Sequence, residues 1–192
     1  MNTFYADGCC VYRNESTIFI ETLDGARKEI ILNDIIDKTG NINIPLSNAC
    51  TLNCLYCSEA RYNEKHSITI SKEVAFQIID AYFVWIRNYP SITEVNLSFD
   101  YGGEPVCKID LLECISTYFR KKCAENNYKS VVMMTTNCTW DADLLPRVLE
   151  SVDEIIVSID GPKQLHEKYR INKSGSSSFE LILKNALAIY KN

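Results

Sequence analysis

The 192-residue chain is 46% hydrophobic and 23% charged, with a formal net charge of -5. That is globular composition for one domain with a short extra piece, and an acidic balance with no basic block removes the electrostatic case for a nucleic-acid partner. No apolar run approaches the roughly 20 residues needed to span a bilayer. Met1–Cys10 lacks the basic start and apolar stretch of a signal peptide, so a cytoplasmic protein without a membrane partner is expected.

Residues 1–40 read as a separate β-rich element. Val11–Arg13 and Thr17–Thr22 form short strands, Asp24-Gly25 a turn, and Lys28–Leu32 a returning hairpin partner. A Cys9-Cys10 pair in this element has no assigned role.

From residue 41 to 192 a second domain shows a different rhythm. Ile42–Leu46 reads as a strand. Ser71–Asn88 reads as a helix capped by Ser71, with Val74, Ile78, Ile79, Tyr82 and Ile86 as its apolar stripe. Glu94–Tyr101 alternates, with Val95, Leu97, Phe99 and Tyr101 on one face, and predicts a strand. Ile109–Glu125 is helical, Lys129–Thr136 a strand, and Ala142–Val152 a short helix with Pro146 near its first turn. Glu154–Ile159 is a fourth strand. His166 and Arg170 fall i, i+4 on a short helix and read as loop-ordering residues. Ser177 and Glu180 form a capping box for a last helix. The order is β-α four times over, which predicts an α/β fold with a parallel sheet and right-handed crossovers. Such arrays carry their working residues at the carboxyl ends of the strands.

The motifs fall at those ends. The first strand runs into Cys50, Cys54 and Cys57, three of nine cysteines within eight residues. An odd cysteine count without a secretion signal argues against a disulfide framework, and clustering argues for metal or catalysis. Three thiolates leave one corner of a four-iron cluster open. A closed zinc or four-cysteine site would need Cys107, Cys114, Cys123 or Cys138 as a fourth ligand. The second strand ends in Gly102-Gly103-Glu104-Pro105, where two glycines let backbone approach a ligand closely. The third ends in Thr135-Thr136-Asn137-Cys138-Thr139. The fourth ends in Ser158-Ile159-Asp160-Gly161-Pro162, with Ser158 and Asp160 on one face, suited to a ribose.

The C-x3-C-x2-C spacing, with aromatic Tyr56 before the last cysteine, resembles the signature of the radical S-adenosylmethionine (SAM) superfamily. Ser-Ile-Asp-Gly-Pro followed by His166 and Arg170 is similar to its sulfatase-maturating and SPASM-type peptide maturase branch. The resemblance covers residues 42–190 and implies a parallel (β/α) partial TIM-type barrel. It implies a [4Fe-4S] cluster on Cys50, Cys54 and Cys57, with SAM bound at the open iron. The reduced cluster would cleave SAM to a 5′-deoxyadenosyl radical that abstracts hydrogen from a substrate. By the same resemblance Gly102 and Gly103 supply backbone contacts to SAM, and Glu104 holds the loop or reaches the ligand. Tyr56, Pro105, Asn137, Ser158 and Asp160 are carried over as further cofactor-binding positions. No catalytic side chain is assigned.

The family usually reads glycine where Cys138 stands, and cysteine resists φ > 0. Its core usually has six βα units, and this chain shows four, so a fragment or a sheet completed by a partner is expected. The resemblance implies a peptide or protein substrate and an electron donor such as flavodoxin or ferredoxin. Two alternatives stay open: a radical SAM enzyme for a small molecule, as in the molybdopterin-precursor cyclase branch, and a non-catalytic zinc or iron–sulfur binding module.

Overall fold

A computed structural model describes residues 2–6, 9–13, 17–22, 27–31, 38–57 and 68–191. The chain divides into two compact units, Met1–Lys38 and Thr39–Asn192.

The first unit is a four-stranded antiparallel meander of β1 (Asn2–Ala6), β2 (Cys9–Arg13), β3 (Thr17–Thr22) and β4 (Arg27–Ile31). The sequence indicated the last three. The Asp24-Gly25 turn lies outside the described residues.

The second unit is built on a parallel sheet in the order β5-β7-β8-β9, formed by Thr39–Asn43, Glu94–Phe99, Lys129–Thr136 and Glu154–Val157. This is the parallel α/β array that the βα rhythm predicts. Helices α1 (Lys72–Ile86), α2 (Ile109–Glu125) and α3 (Leu145–Ser151) form the crossovers. Helices α4 (Lys163–Tyr169) and α5 (Ser178–Tyr190) follow β9. The core lies between one sheet face and the helices. Ile42, Val95, Leu97, Phe99, Val132 and Met134 meet Ala75, Ile79, Phe83, Ile115 and Phe119 there. The other face carries a polar row, in which Asn43 Nδ2 donates to Ser98 Oγ at 2.7 Å and Asn96 Nδ2 to Asn41 Oδ1 at 3.3 Å.

Several boundaries and faces differ from the sequence reading. The first strand ends at Asn43, although Ile44 still donates its N–H to Ser98 O and Ile44 and Leu46 remain buried. In α1 the core face is Ala75, Ile79, Phe83 and Ile86, whereas Val74 and Ile78 face solvent. An apolar stripe can be drawn through either set, because the helix carries more apolar residues than one face holds. Tyr101 leaves the alternation of β7 at the glycine loop and is 71% exposed. The helix expected over 142–152 opens as a 3-10 turn, Ala142–Leu144, before α3. Ser177 Oγ does cap α5 by accepting from Glu180 N, but the Glu180 carboxylate meets Lys163 Nζ at 2.7 Å instead of closing the box.

A two-stranded antiparallel ribbon was not anticipated. It joins β6 (Leu52–Cys54) to β10 (Arg170–Asn172). Three-residue strands carry too little pattern to be read from sequence.

Candidate functional site

Cys50, Cys54 and Cys57 line one cleft of about 320 Å³ at the carboxyl end of the sheet, with Tyr56, Gly102, Gly103, Glu104, Asn137 and Ser158. All three cysteines are free thiols. The ribbon fixes their loop: Leu55 N donates to Tyr169 O at 2.9 Å and Lys173 N to Thr51 O at 3.1 Å. Cys57 N closes the turn on Cys54 O at 3.1 Å. Burial raises the Cys50 thiol pKa, opposed by the Leu52 N–H, and burial also raises that of Cys54, opposed by the Arg170 cation.

The two glycines line the cleft and also let two stretches of backbone meet. Gly103 N donates to Ser47 O at 2.6 Å, and Glu104 N to Ala49 O at 2.7 Å. A Cβ on Gly103 would sit 1.9 Å from Ala49 O, and one on Gly102, where φ is +94, 2.6 Å from Ser47 O. The close approach is therefore between the glycine loop and the backbone leading into the cysteines.

Glu104 is buried and holds the loops. Its Oε1 accepts from Thr136 Oγ1 at 2.6 Å and from Val106 N at 3.4 Å, and its Oε2 from Asn137 N at 2.7 Å. Burial pushes its pKa up to about 7 against the pull of those donors. Pro105, buried, opens the 3-10 turn that follows and does not line the cleft.

The third loop is built on Cys138, which takes φ 58 although it is not glycine. The left-handed residue curls the chain so that Asn137 Oδ1 accepts from Thr139 N at 2.9 Å. Asn185 on α5 donates to Cys138 O and Trp140 O at 3.0 and 2.8 Å, which holds the conformation. Cys138 faces the core, and burial pushes its thiol pKa up to about 12.

Ser158 lines the cleft and hydrogen bonds through its N–H to Thr136 O at 2.9 Å. Asp160 instead turns to Tyr56, whose hydroxyl donates to Oδ2 at 2.5 Å, and to Arg170, whose Nε lies 2.9 Å from Oδ1. Burial acts to raise the Asp160 pKa, but Tyr56 and Arg170 outweigh it and hold it below the usual value. The Arg170 guanidinium also sits 5.6 Å from the Tyr56 ring centroid. His166 and Arg170 do not share a helix, since α4 ends at Tyr169 and Arg170 opens β10. His166 is fully buried, and its Nδ1 accepts from Asp160 N at 3.3 Å.

The sequence model of the radical SAM superfamily matches residues 44–192, more than three quarters of the chain. The chain belongs to the radical SAM superfamily. A cysteine-type anaerobic sulfatase-maturating enzyme of Clostridium novyi is 24% identical over 143 residues, covering 73% of this chain and 37% of that protein. A serine-type anaerobic sulfatase-maturating enzyme of Bacteroides thetaiotaomicron is 27% identical over 150 residues, covering 73% and 34%. The chain thus spans little more than a third of the length of these relatives. Among solved structures, native anSMEcpe with bound AdoMet superposes with a TM-score of 0.64 at 24% identity, covering 80% of this chain and 41% of that one. That likeness shows the fold.

Membership implies a [4Fe-4S] cluster and SAM, and this radical SAM chain has the donors for them. Three free thiols share one cleft, and thiolates are the usual ligands of iron–sulfur clusters. Among the described residues no three His, Cys, Asp or Glu side chains gather for a single metal ion. Cys107, Cys114, Cys123 and Cys138 are not in the cleft lining. Sequence reasoning did not find Arg170, Asp100 and Thr135 in that lining, nor the ring of Thr51 and Thr139 around Asn137. Arg170 stands out in the sequence by its spacing from His166 and by the resemblance of the fourth strand-end motif, but as a loop-ordering residue and not as part of the lining. Thr51 lies between the cysteines and had no pattern to single it out.

Proposed function

We propose that this chain is a radical SAM enzyme core that holds a [4Fe-4S] cluster on Cys50, Cys54 and Cys57 and modifies a peptide or protein. The observation that carries the reading is the meeting of three free cysteines with the Gly102-Gly103 backbone, Asn137 and Ser158 around one cleft. When bound and reduced, the cluster and SAM supply a 5′-deoxyadenosyl radical for hydrogen abstraction.

The chain's own residues then have these tasks. The ribbon and the Gly103–Ser47 contact hold the cysteine loop in place. The cleft backbone at Gly102 and Gly103 faces the amino group of SAM, and the Ser158 hydroxyl its ribose. Tyr56 packs beside the cleft with its hydroxyl tied to Asp160, so Asp160 contributes to the cofactor site through Tyr56. Tyr101, exposed at the mouth, faces the substrate. A peptide substrate is supported by the relatives named as sulfatase-maturating enzymes and by a neighbour described with a bound Kp18Cys peptide. A flavodoxin- or ferredoxin-type donor suits a cluster that must receive single electrons. A cytoplasmic location suits free thiols that must stay reduced. No described helix is long and apolar enough to cross a membrane.

Electron paramagnetic resonance of the anaerobically reconstituted, reduced chain tests this. A four-iron signal that changes on adding SAM is expected. A cluster signal indifferent to SAM, or zinc in place of iron, overturns the reading.

A further inference from the structure

Asn137 is buried, and its side-chain amide has a fixed orientation. Oδ1 accepts from the backbone N–H of Thr139 at 2.9 Å and from the Thr139 hydroxyl at 2.7 Å. A backbone N–H only donates, so the oxygen must point that way. The amide nitrogen then lies 3.1 Å from Thr51 Oγ1, which is itself 3.4 Å from Oδ1, and 3.4 Å from Cys50 Sγ. Thr51 and Thr139 close the ring, their hydroxyl oxygens 2.5 Å apart. One amide hydrogen enters this ring and the other is directed at the sulfur. A flipped amide would set its oxygen against a thiolate and its NH2 against the Thr139 N–H.

We propose that Asn137 sets the reduction potential of the cluster by donating this N–H to Cys50 Sγ, an inference that rests on Cys50 being a cluster ligand. Reduction is a one-electron step from [4Fe-4S]2+ to [4Fe-4S]1+, with the electron from an external donor and no proton or bond change. The added negative charge spreads onto the sulfurs, and a fixed N–H dipole aimed at one of them stabilises the reduced state more than the oxidised one. The contact therefore raises the potential and makes the cluster easier to reduce. Asn137 acts here as a positioning and tuning residue.

Its place in the fold suits that task. Asn137 N is anchored on Glu104, its neighbour Cys138 takes the left-handed turn, and Asn185 holds the following carbonyls. The amide is held from three directions and has little freedom to turn away when the cluster changes charge.

The test is a redox titration of the reconstituted full chain with dithionite and mediators, followed by electron paramagnetic resonance. Asn137→Asp keeps both acceptor contacts to Thr139 and replaces the donor with an oxygen. It should titrate at a lower potential, with at least a tenfold fall in the reduced-to-oxidised ratio at fixed ambient potential, or about 59 mV for one electron. Asn137→Ala should shift the same way by less. Because the Asp carboxylate lowers the potential by its charge alone, wild-type potential in Asn137→Ala overturns the inference whatever Asn137→Asp does. Should the variants not load iron, wild type labelled with 15N only at asparagine side-chain amides decides by electron spin echo modulation. A weak nitrogen coupling to the cluster supports the contact, and its absence overturns it. Cys50→Ala separates the two levels: full iron retention there would overturn the ligand assignment itself.

Discussion

Arg170 pairs with Cys54 across the β6–β10 ribbon, so the strand that follows α4 holds the middle cysteine of the loop. The side chain adds to the backbone pairing. It makes an ion pair with Asp160, covers Tyr56, and is largely buried. Removing it would leave the Tyr56–Asp160 hydrogen bond without its cationic partner and loosen the loop. Arg170→Ala should weaken metal retention roughly 10–100-fold, the usual range for losing an outer partner of a metal site. Iron per chain after gel filtration measures this, with circular dichroism as the check on folding. Full iron retention would show that the backbone ribbon suffices.

Gly103→Ala should be among the most disruptive single-methyl additions in the second unit. Its Cβ would meet backbone, Ala49 O at 1.9 Å, and backbone cannot rotate away as a side chain can. A cost of at least about 3 kcal/mol is expected, the upper end for overpacking. Gly175→Ala is the control: φ is +75 and nothing lies within 4 Å, so only the left-handed backbone resists, by about 1–2 kcal/mol. Chemical denaturation of both variants gives the comparison. Equal losses would remove the loop–loop account of Gly103.

Glu104 links stability to pH in the direction opposite to a salt-bridged carboxylate. Its pKa rises from 4.5 to about 7 on folding, with burial as the main cause. Below pH 4.5 the group is protonated in both states. Between 4.5 and 7 the unfolded chain releases the proton while the folded chain keeps it, so stability falls as pH rises, by roughly 3 kcal/mol over the window. Glu104→Gln should flatten that slope. It should also cost about 1–3 kcal/mol, because an NH2 would face one of the backbone donors that the carboxylate accepts. Urea midpoints measured across that pH range test both effects.

The four-strand rhythm and the strand-end motifs were legible because each strand is followed by a helix with its own period and cap. The three cysteines and the glycine pair were legible from spacing alone. Contacts made by backbone were not. The glycines read as room for a ligand, and their missing Cβ atoms also make room for Ser47 and Ala49, far away in sequence. The ribbon gave no signal because three residues cannot establish a period. The left-handed Cys138 looked unfavourable because local preference opposes it, whereas Asn185 supplies the compensating bonds from α5. The α1 face was misjudged because Val74 and Ile78 are as apolar as the residues that reach the core.

Two groups among the described cysteines should separate in a replacement series. Cys123 and Cys138 lie in the core, and burial pushes each thiol pKa up to about 12, so both behave as small apolar residues. Replacing either with Ala should cost stability by about 1 kcal/mol, the price of roughly one buried methylene-sized group, and leave iron binding intact. Cys54→Ala should do the reverse. Its side chain lines the open cleft, so the folded chain loses little packing, but the proposed cluster site loses one of its three thiols. Iron analysis of the anaerobically reconstituted variants, with thermal melts alongside, gives both readouts. Loss of iron on replacing Cys107, Cys114, Cys123 or Cys138 would instead indicate a fourth protein ligand. That would close the site to SAM and favour a binding module over an enzyme.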